Sequence, residues 1–135
     1  MSYVKLTETV AVAGQITVEQ VAQIAAAGYQ VLVNNRPDGE ESGQPTAAEI
    51  EAAALAAGLE YHHLPVTAVN FPGPDLARMS RLLDDISRPV FAFCRSGTRC
   101  TNLWVVTREE GDREQASEHA RRLGFDLSMA ARHQS

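Results

Sequence analysis

Two hydrophobic periods alternate along the chain. Short apolar runs of strand length are followed by stretches in which apolar residues recur at helical spacing. Tyr3 to Val12 reads as one extended run that ends at Gly14. Thr17 and Gln20 then form a capping box, and Val18, Val21, Ile24 and Ala25 make an apolar stripe that predicts a helix stopping at Gly28. Tyr29 to Asn34 (YQVLVN) predicts a buried strand, and Asn35 to Pro45 (NRPDGEESGQP) is dense in turn residues and predicts a loop. A second capping box, Thr46 and Glu49, opens a helix that runs through Ala57 and stops at Gly58. Leu59 to Val66 is another extended run, and Thr67 to Pro74 (TAVNFPGP) is a Pro/Gly loop. Asp75 stands at the N-cap of a helix whose apolar positions are Leu76, Met79, Leu82, Leu83 and Ile86. Pro89 introduces VFAFC, a run suited to a central strand. After a loop from Arg95 to Arg99, helical residues run through Trp104 and Val105 to Glu110. Gly111 and Asp112 interrupt them, Asp112 to Leu123 predicts an amphipathic helix, and a short tail runs to Ser135.

This order of strands and helices predicts an α/β three-layer sandwich with a central, mostly parallel sheet. In such sheets ligands bind at the carboxyl ends of the strands. The longest loops all follow strands, so they converge on one rim. The 135 residues fit a single domain spanning 1–135 and show no internal repeat.

Composition narrows the function. Hydrophobic residues make up 44% and charged residues 21%, ordinary globular usage that argues against disorder as the main state. Lys plus Arg total 12 against 17 for Asp plus Glu, a formal net charge of −5. Such a chain is a poor partner for nucleic acid or an anionic membrane. MSYVKLTETV has no basic region followed by an apolar core, so no signal peptide is expected there. The longest apolar run, Val21 to Gly28, contains Gln23 and falls far short of the ~18 residues that span a bilayer. The two cysteines, Cys94 and Cys100, are too few for a disulfide framework, and the reducing cytoplasm is the expected compartment.

The chemistry centres on Phe93-Cys-Arg-Ser-Gly-Thr-Arg99, between a predicted buried strand and a predicted helix. Gly97 permits a tight backbone path, and the N–H groups of Arg95, Ser96, Gly97, Thr98 and Arg99 can form a nest for an anion. The helix that follows adds the positive end of its dipole. The same field favours thiolate over thiol, lowering a pKa that is ~8.5 in free cysteine. Cys94 is then a nucleophile, and Arg99 a planar cation able to grip a tetrahedral anion by two hydrogen bonds. The alternative is a core cysteine at the end of a strand.

This loop is similar to the cysteine loops of protein tyrosine and dual-specificity phosphatases and of rhodaneses. Taken with VLVNNRPDGEE (Val31 to Glu41), GQPT (Gly43 to Thr46) and YHHLPV (Tyr61 to Val66), it resembles the beta-lactamase hydrolase-like protein family over roughly residues 3–123. The resemblance implies a phosphatase-like domain of tyrosine-phosphatase-type fold, found alone or fused to a metallo-hydrolase module related to persulfide dioxygenases. It also implies Cys94 as nucleophile and Arg99 as anion clamp. The chain departs from the phosphatase pattern in three ways. Four residues, not five, separate Cys94 from Arg99, which is the rhodanese length. Phe93 stands where phosphatases have His, and Cys100 where they have a Ser or Thr that helps the thiol leave.

A phosphatase needs a general acid for the leaving oxygen. Asp75 and Asp38 are the candidates; Asp75 reads equally as a helix cap, and Asp38 as the turn residue of Pro37-Asp38-Gly39. Arg36 either adds a second positive contact to the anion site or pairs with Glu40 or Glu41. Cys100 is inert, resolves an oxidised Cys94 as a disulfide, or accepts sulfur from it. His62 and His63 alternate across a strand, so one of them can face the site, and they make no metal motif. His119 and His133 read as solvated. No metal or organic cofactor is expected. These features predict a cysteine-dependent phosphatase-like hydrolase working through a cysteinyl-phosphate on a small anionic phosphate ester. The alternatives are a rhodanese-like sulfurtransferase that takes a sulfane-sulfur donor and carries a Cys94 persulfide, and a non-catalytic anion-binding or redox-sensing module.

Overall fold

The computed structural model describes residues 1–134. Its sheet has five strands: β1 (Val4–Lys5), β2 (Val10–Ala13), β3 (Val31–Asn34), β4 (Glu60–His63) and β5 (Val90–Phe93), in the order β1-β2-β5-β3-β4. β5 lies parallel between β2 and β3, with Val90 opposite both Val10 and Val31, and β4 extends the parallel set beyond β3. β1 pairs antiparallel with β2 at the edge. The single run expected over Tyr3 to Val12 is thus two strands of a hairpin. The N–H groups of Leu6 and Thr7 both donate to the Val10 carbonyl, at 2.8 and 3.2 Å, and Thr7 Oγ1 accepts from the Thr9 N–H at 3.1 Å. That hydroxyl turn reverses a segment whose β propensity alone is continuous.

Helices α1 (Val18–Ala26) and α2 (Ala47–Ala56) cover one face of the sheet. Both expected capping boxes form. Thr17 Oγ1 accepts from the Gln20 N–H at 3.2 Å while Gln20 Oε1 accepts from the Thr17 N–H at 2.9 Å, and Thr46 and Glu49 repeat the exchange. The other face is covered by α3 (Leu76–Asp84), α4 (Thr98–Val106), α5 (Arg113–Arg122) and α6 (Ser128–Gln134). Alternation along β5 sets the orientation of the site. Phe91 and Phe93 enter the core under α1 and α2, whereas Val90, Ala92 and Cys94 enter the other.

Several expectations on this second face need correction. Ile86 does not join the apolar stripe of α3 and is 78% exposed, because Asp85 Oδ1 accepts from the Ser87 N–H at 3.1 Å and turns the chain out of the helix. Asp75 does not cap α3. Its backbone, at φ −105° and ψ 20°, lies outside the extended region that presents a capping carboxylate to the first turn, and no capping hydrogen bond forms. α4 begins at Thr98, inside the expected loop, and ends at Val106; Glu110–Asp112 form a separate 3₁₀ turn. The expected tail contains α6. Buried Leu127 and Ala130 dock it, Asn102 Oδ1 accepts from the Ala130 N–H at 3.0 Å, and Asn102 Nδ2 donates to the Asp126 carbonyl at 2.9 Å. His119 is exposed, as expected, and its Nε2 hydrogen-bonds the Leu6 carbonyl at 2.9 Å. Among the described residues no helix is long and apolar enough to cross a membrane.

Candidate active site

The chain leaves the centre of the sheet at Cys94, whose N–H donates to the Ala13 carbonyl of β2 at 3.2 Å. Gly97 precedes α4 at φ 87° and ψ −11°, a left-handed conformation that costs glycine little. This bend turns the loop back on the cysteine. Gly97 N–H donates to Cys94 Sγ at 3.1 Å, and the backbone N–H groups of Ser96 and Cys100 also support the sulfur. The Cys100 thiol donates to it as well. Cys100 is the largest influence, and with the backbone donors it outweighs burial and pulls the Cys94 thiol down to about 6. Burial and the neighbouring thiolate push Cys100 well above the ordinary range, so it keeps its proton and remains the donor. Cys94 itself is 0% exposed.

The end of β2 fits closely against this loop. Gly14 forms a bridge with Ser96, and the Gln15 N–H donates to the Arg95 carbonyl at 3.3 Å. A Cβ on Gly14 would stand 2.9 Å from the Arg95 carbonyl oxygen, a backbone atom. Gly14→Ala is therefore expected to push the loop off the sheet, lower the melting temperature, and raise the Cys94 pKa by moving the backbone donors. Thermal melting together with ultraviolet titration of the thiolate checks both effects; an unchanged pKa would mean that Gly14 does not hold the loop.

Arg99 lies in the first turn of α4. Its Nη1 and Nη2 form a two-pronged pair with Glu40, at 2.9 and 2.8 Å, and Nη1 also donates to the Val66 carbonyl at 2.9 Å. Glu40 in turn accepts from Arg36 Nε at 2.9 Å. Arg36 reaches Glu41 through Nη2 at 2.8 Å and Gln15 through Nη1 at 2.9 Å, and Glu41 lies 3.4 Å from Arg95 Nε. The result is an alternating chain of charges, Arg95–Glu41–Arg36–Glu40–Arg99, that ties the loop after β3 to the cysteine loop and, through Gln15, to the segment that follows β2. Arg36 thus takes the pairing role, with both glutamates, and its side chain is only 2% exposed. Arg99 foremost, with Arg36, holds the Glu40 carboxyl below the usual range against burial. Arg36 and Arg95 lower Glu41.

The remaining candidates are placed as follows. Arg95 and Ser96 are exposed, and Ser96 Oγ donates to Thr98 Oγ1 at 3.0 Å. Asp38 Oδ1 accepts from the Ala47 N–H at the start of α2, at 2.7 Å. Asp75 is half-buried on the loop that also supplies the Val66 carbonyl. His63 Nε2 hydrogen-bonds the Arg36 carbonyl at 2.9 Å, whereas His62 pairs with Glu60. Among the described residues no group of His, Cys, Asp or Glu could hold a metal ion.

Glu40, Gln15, Gly14 and the Val66 carbonyl do not follow from the sequence pattern as site members. Only the acidic pair beside Arg36 hinted at Glu40, and its partner Arg99 lies 59 positions away.

The fold and this cysteine loop define a phosphatase-like α/β domain of protein-tyrosine-phosphatase type. Kinase associated phosphatase shares the fold, with a TM-score of 0.64, 15% identity and coverage of 96% of this chain and 84% of the other. A structure from Neisseria meningitidis described as a candidate phosphatase has a TM-score of 0.74 and 34% identity, covering 92% of this chain and 89% of that one. Residues 2–110 match the family described as beta-lactamase hydrolase-like protein, phosphatase-like domain, and the chain belongs to that family. The beta-lactamase hydrolase-like protein of Agrobacterium fabrum is 34% identical over 135 residues, which cover 98% of this chain but 31% of the relative. The chain thus spans about a third of the length of the curated relatives it matches.

Proposed function

We propose that this domain hydrolyses a phosphate monoester through a cysteinyl-phosphate on Cys94. The carrying observation is the Cys94 sulfur, brought to about 6 by the Cys100 thiol and the backbone N–H groups around it. The thiolate attacks phosphorus while the bond to the leaving oxygen breaks, and Asp75 gives that oxygen its proton. Water then attacks phosphorus and returns a proton to the Asp75 carboxylate, the S–P bond breaks, and inorganic phosphate leaves with the thiolate restored. The Cys100 S–H stabilises the departing thiolate in place of a hydroxyl. Arg99 and the Arg95 to Arg99 backbone hold the phosphoryl oxygens. Glu40 and Val66 occupy three of the five donors of the Arg99 guanidinium, leaving Nε–H and one Nη2–H on a single edge for an anion.

Asp75 is preferred to Asp38 as the acid because its carboxylate makes no capping bond, whereas Asp38 is engaged by α2. Asp75→Asn is expected to lower kcat for an alkyl phosphate on the order of a hundredfold, and to lower it less for an aryl phosphate whose leaving oxygen needs no proton. Equal losses on both substrates would remove Asp75 from that role. Free thiols on both cysteines suit the cytoplasm.

A second reading is sulfur transfer. It is favoured by the short loop, whose N–H groups converge on the sulfur itself, and by the complete burial of Cys94, which suits a small electrophile. The thiolate would attack the outer sulfur of thiosulfate, sulfite would leave, and Cys94 would carry a persulfide. Intact mass after thiosulfate treatment would then rise by one sulfur atom. Phosphate release from a monoester with no such adduct supports the hydrolase. Anion binding or a Cys94–Cys100 disulfide with turnover of neither substrate would indicate a non-catalytic module.

A further inference from the structure

The loop sequence NRPDGEE contributes no reacting group to the mechanism above, yet its Arg36 is the most completely engaged side chain near the site. Each of the three guanidinium nitrogens has its own partner: Nε on Glu40, Nη1 on Gln15 and Nη2 on Glu41, at 2.9, 2.9 and 2.8 Å. Its backbone is fixed too, with the N–H on Asn34 Oδ1 and the carbonyl on His63 Nε2, each at 2.9 Å. A buried cation held at five points is a rigid reference for whatever it touches. It touches both carboxylates that reach the cysteine loop. Glu40 holds the terminal nitrogens of Arg99, and Glu41 faces Arg95.

We infer that Arg36 is a positioning residue for anion capture, setting through Glu40 the direction in which Arg99 presents its free Nε–H and Nη2–H edge. The inference rests on the reading of Arg99 as the anion clamp. Glu40 alone cannot aim that edge, because a carboxylate paired only with a flexible arginine moves with it. Anchored on Arg36 Nε through the same Oε1 that meets Arg99 Nη2, it becomes a fixed strut. Lysine cannot replace Arg36, since one ammonium cannot span three partners set around a planar fork. The cost of a loose clamp falls on anion binding, where an unaimed fork must be ordered by each incoming anion. The thiolate is untouched, because its donors are Cys100 and backbone groups outside the charge chain.

The test measures two quantities on the full chain: affinity for inorganic phosphate by titration calorimetry, and the Cys94 pKa by ultraviolet absorbance of the thiolate. Arg36→Lys is expected to weaken phosphate binding about tenfold while the Cys94 pKa stays at about 6. Glu40→Gln, which keeps the shape and an acceptor oxygen, is expected to give a similar loss, and the double variant little more than either alone. Arg99→Ala should abolish phosphate binding. If Arg99→Ala binds phosphate normally, the clamp reading fails and the inference falls with it. If Arg99→Ala loses binding but Arg36→Lys does not, the clamp stands and the positioning role is overturned. Tighter phosphate binding in Glu40→Gln would likewise overturn it, showing a carboxylate that competes with the anion. A Cys94 pKa that moves with the affinity in both Arg36→Lys and Glu40→Gln would reduce Arg36 to a structural prop of the whole loop.

Discussion

Cys94→Ser is expected to bring phosphate ester hydrolysis down to background, a loss of at least about a thousandfold. Serine keeps the shape of the side chain but not its chemistry. A hydroxyl does not ionise near neutrality, so the donors around Sγ have no anion to stabilise before the substrate arrives. The same donors remain for a bound phosphate, so inorganic phosphate should still bind to Cys94→Ser. The two measurements separate chemistry from folding: turnover lost with phosphate binding kept supports the nucleophile. Residual turnover within tenfold of the unmodified chain would remove Cys94 from the reaction.

The next largest effect is expected at Cys100, and its sign follows from which thiol carries the proton. Cys94 is depressed to about 6 chiefly by the Cys100 S–H, so the thiolate predominates above that pH. Cys100→Ala removes this donor and should return the Cys94 pKa toward the free value of ~8.5. At about pH 7 the thiolate would become the minor form, and iodoacetamide alkylation of Cys94 should slow about tenfold. Cys100→Ser restores a donor and should recover most of the rate. If alanine and serine behave alike, the backbone N–H groups alone set the pKa.

Stability should move in the same window. Between about 6 and ~8.5 the native Cys94 has released a proton that the unfolded chain still binds. Its contribution to stability is therefore full above ~8.5 and is lost as pH falls through about 6. Cys100 acts with the opposite sign. The native state keeps a proton that the unfolded chain releases above ~8.5, so stability declines on that alkaline side. Thermal midpoints of the unmodified chain and of Cys100→Ala across pH 5 to 10 check both slopes.

Much of the fold is legible in local patterns because local forces make it. The capping boxes at Thr17 and Thr46 and the glycine stops are each set by residues within a few positions of one another, and the strands show as short apolar runs. Of the expectations that failed, some depend on distant partners and some on a single local turn. α6 is too short to declare itself and forms because Leu127, Ala130 and Asn102 dock it on α4. The hairpin at Thr7 rests on one hydroxyl that a β-rich run conceals. At the site, Cys94, Gly97 and Arg99 are legible because strand, glycine and helix follow one another directly. The charge chain is not, since Arg99 meets Glu40 only after the sheet brings two loops together. A carboxylate beside an arginine in sequence does not say which other arginine it will also bind.

The strand order carries one more consequence. β5 is the last strand to be synthesised and sits at the middle of the sheet, between β2 and β3. Every support of the cysteine sulfur comes from residues after it, while the floor beneath its loop comes from Ala13 and Gly14 near the start of the chain. Closing those distant pairings is the slow part of assembling a parallel sheet. A growing chain that has passed β4 but not α4 therefore holds an ordinary thiol or none. The donors around the sulfur therefore meet it only once β5 has paired with both β2 and β3 and α4 has formed behind it.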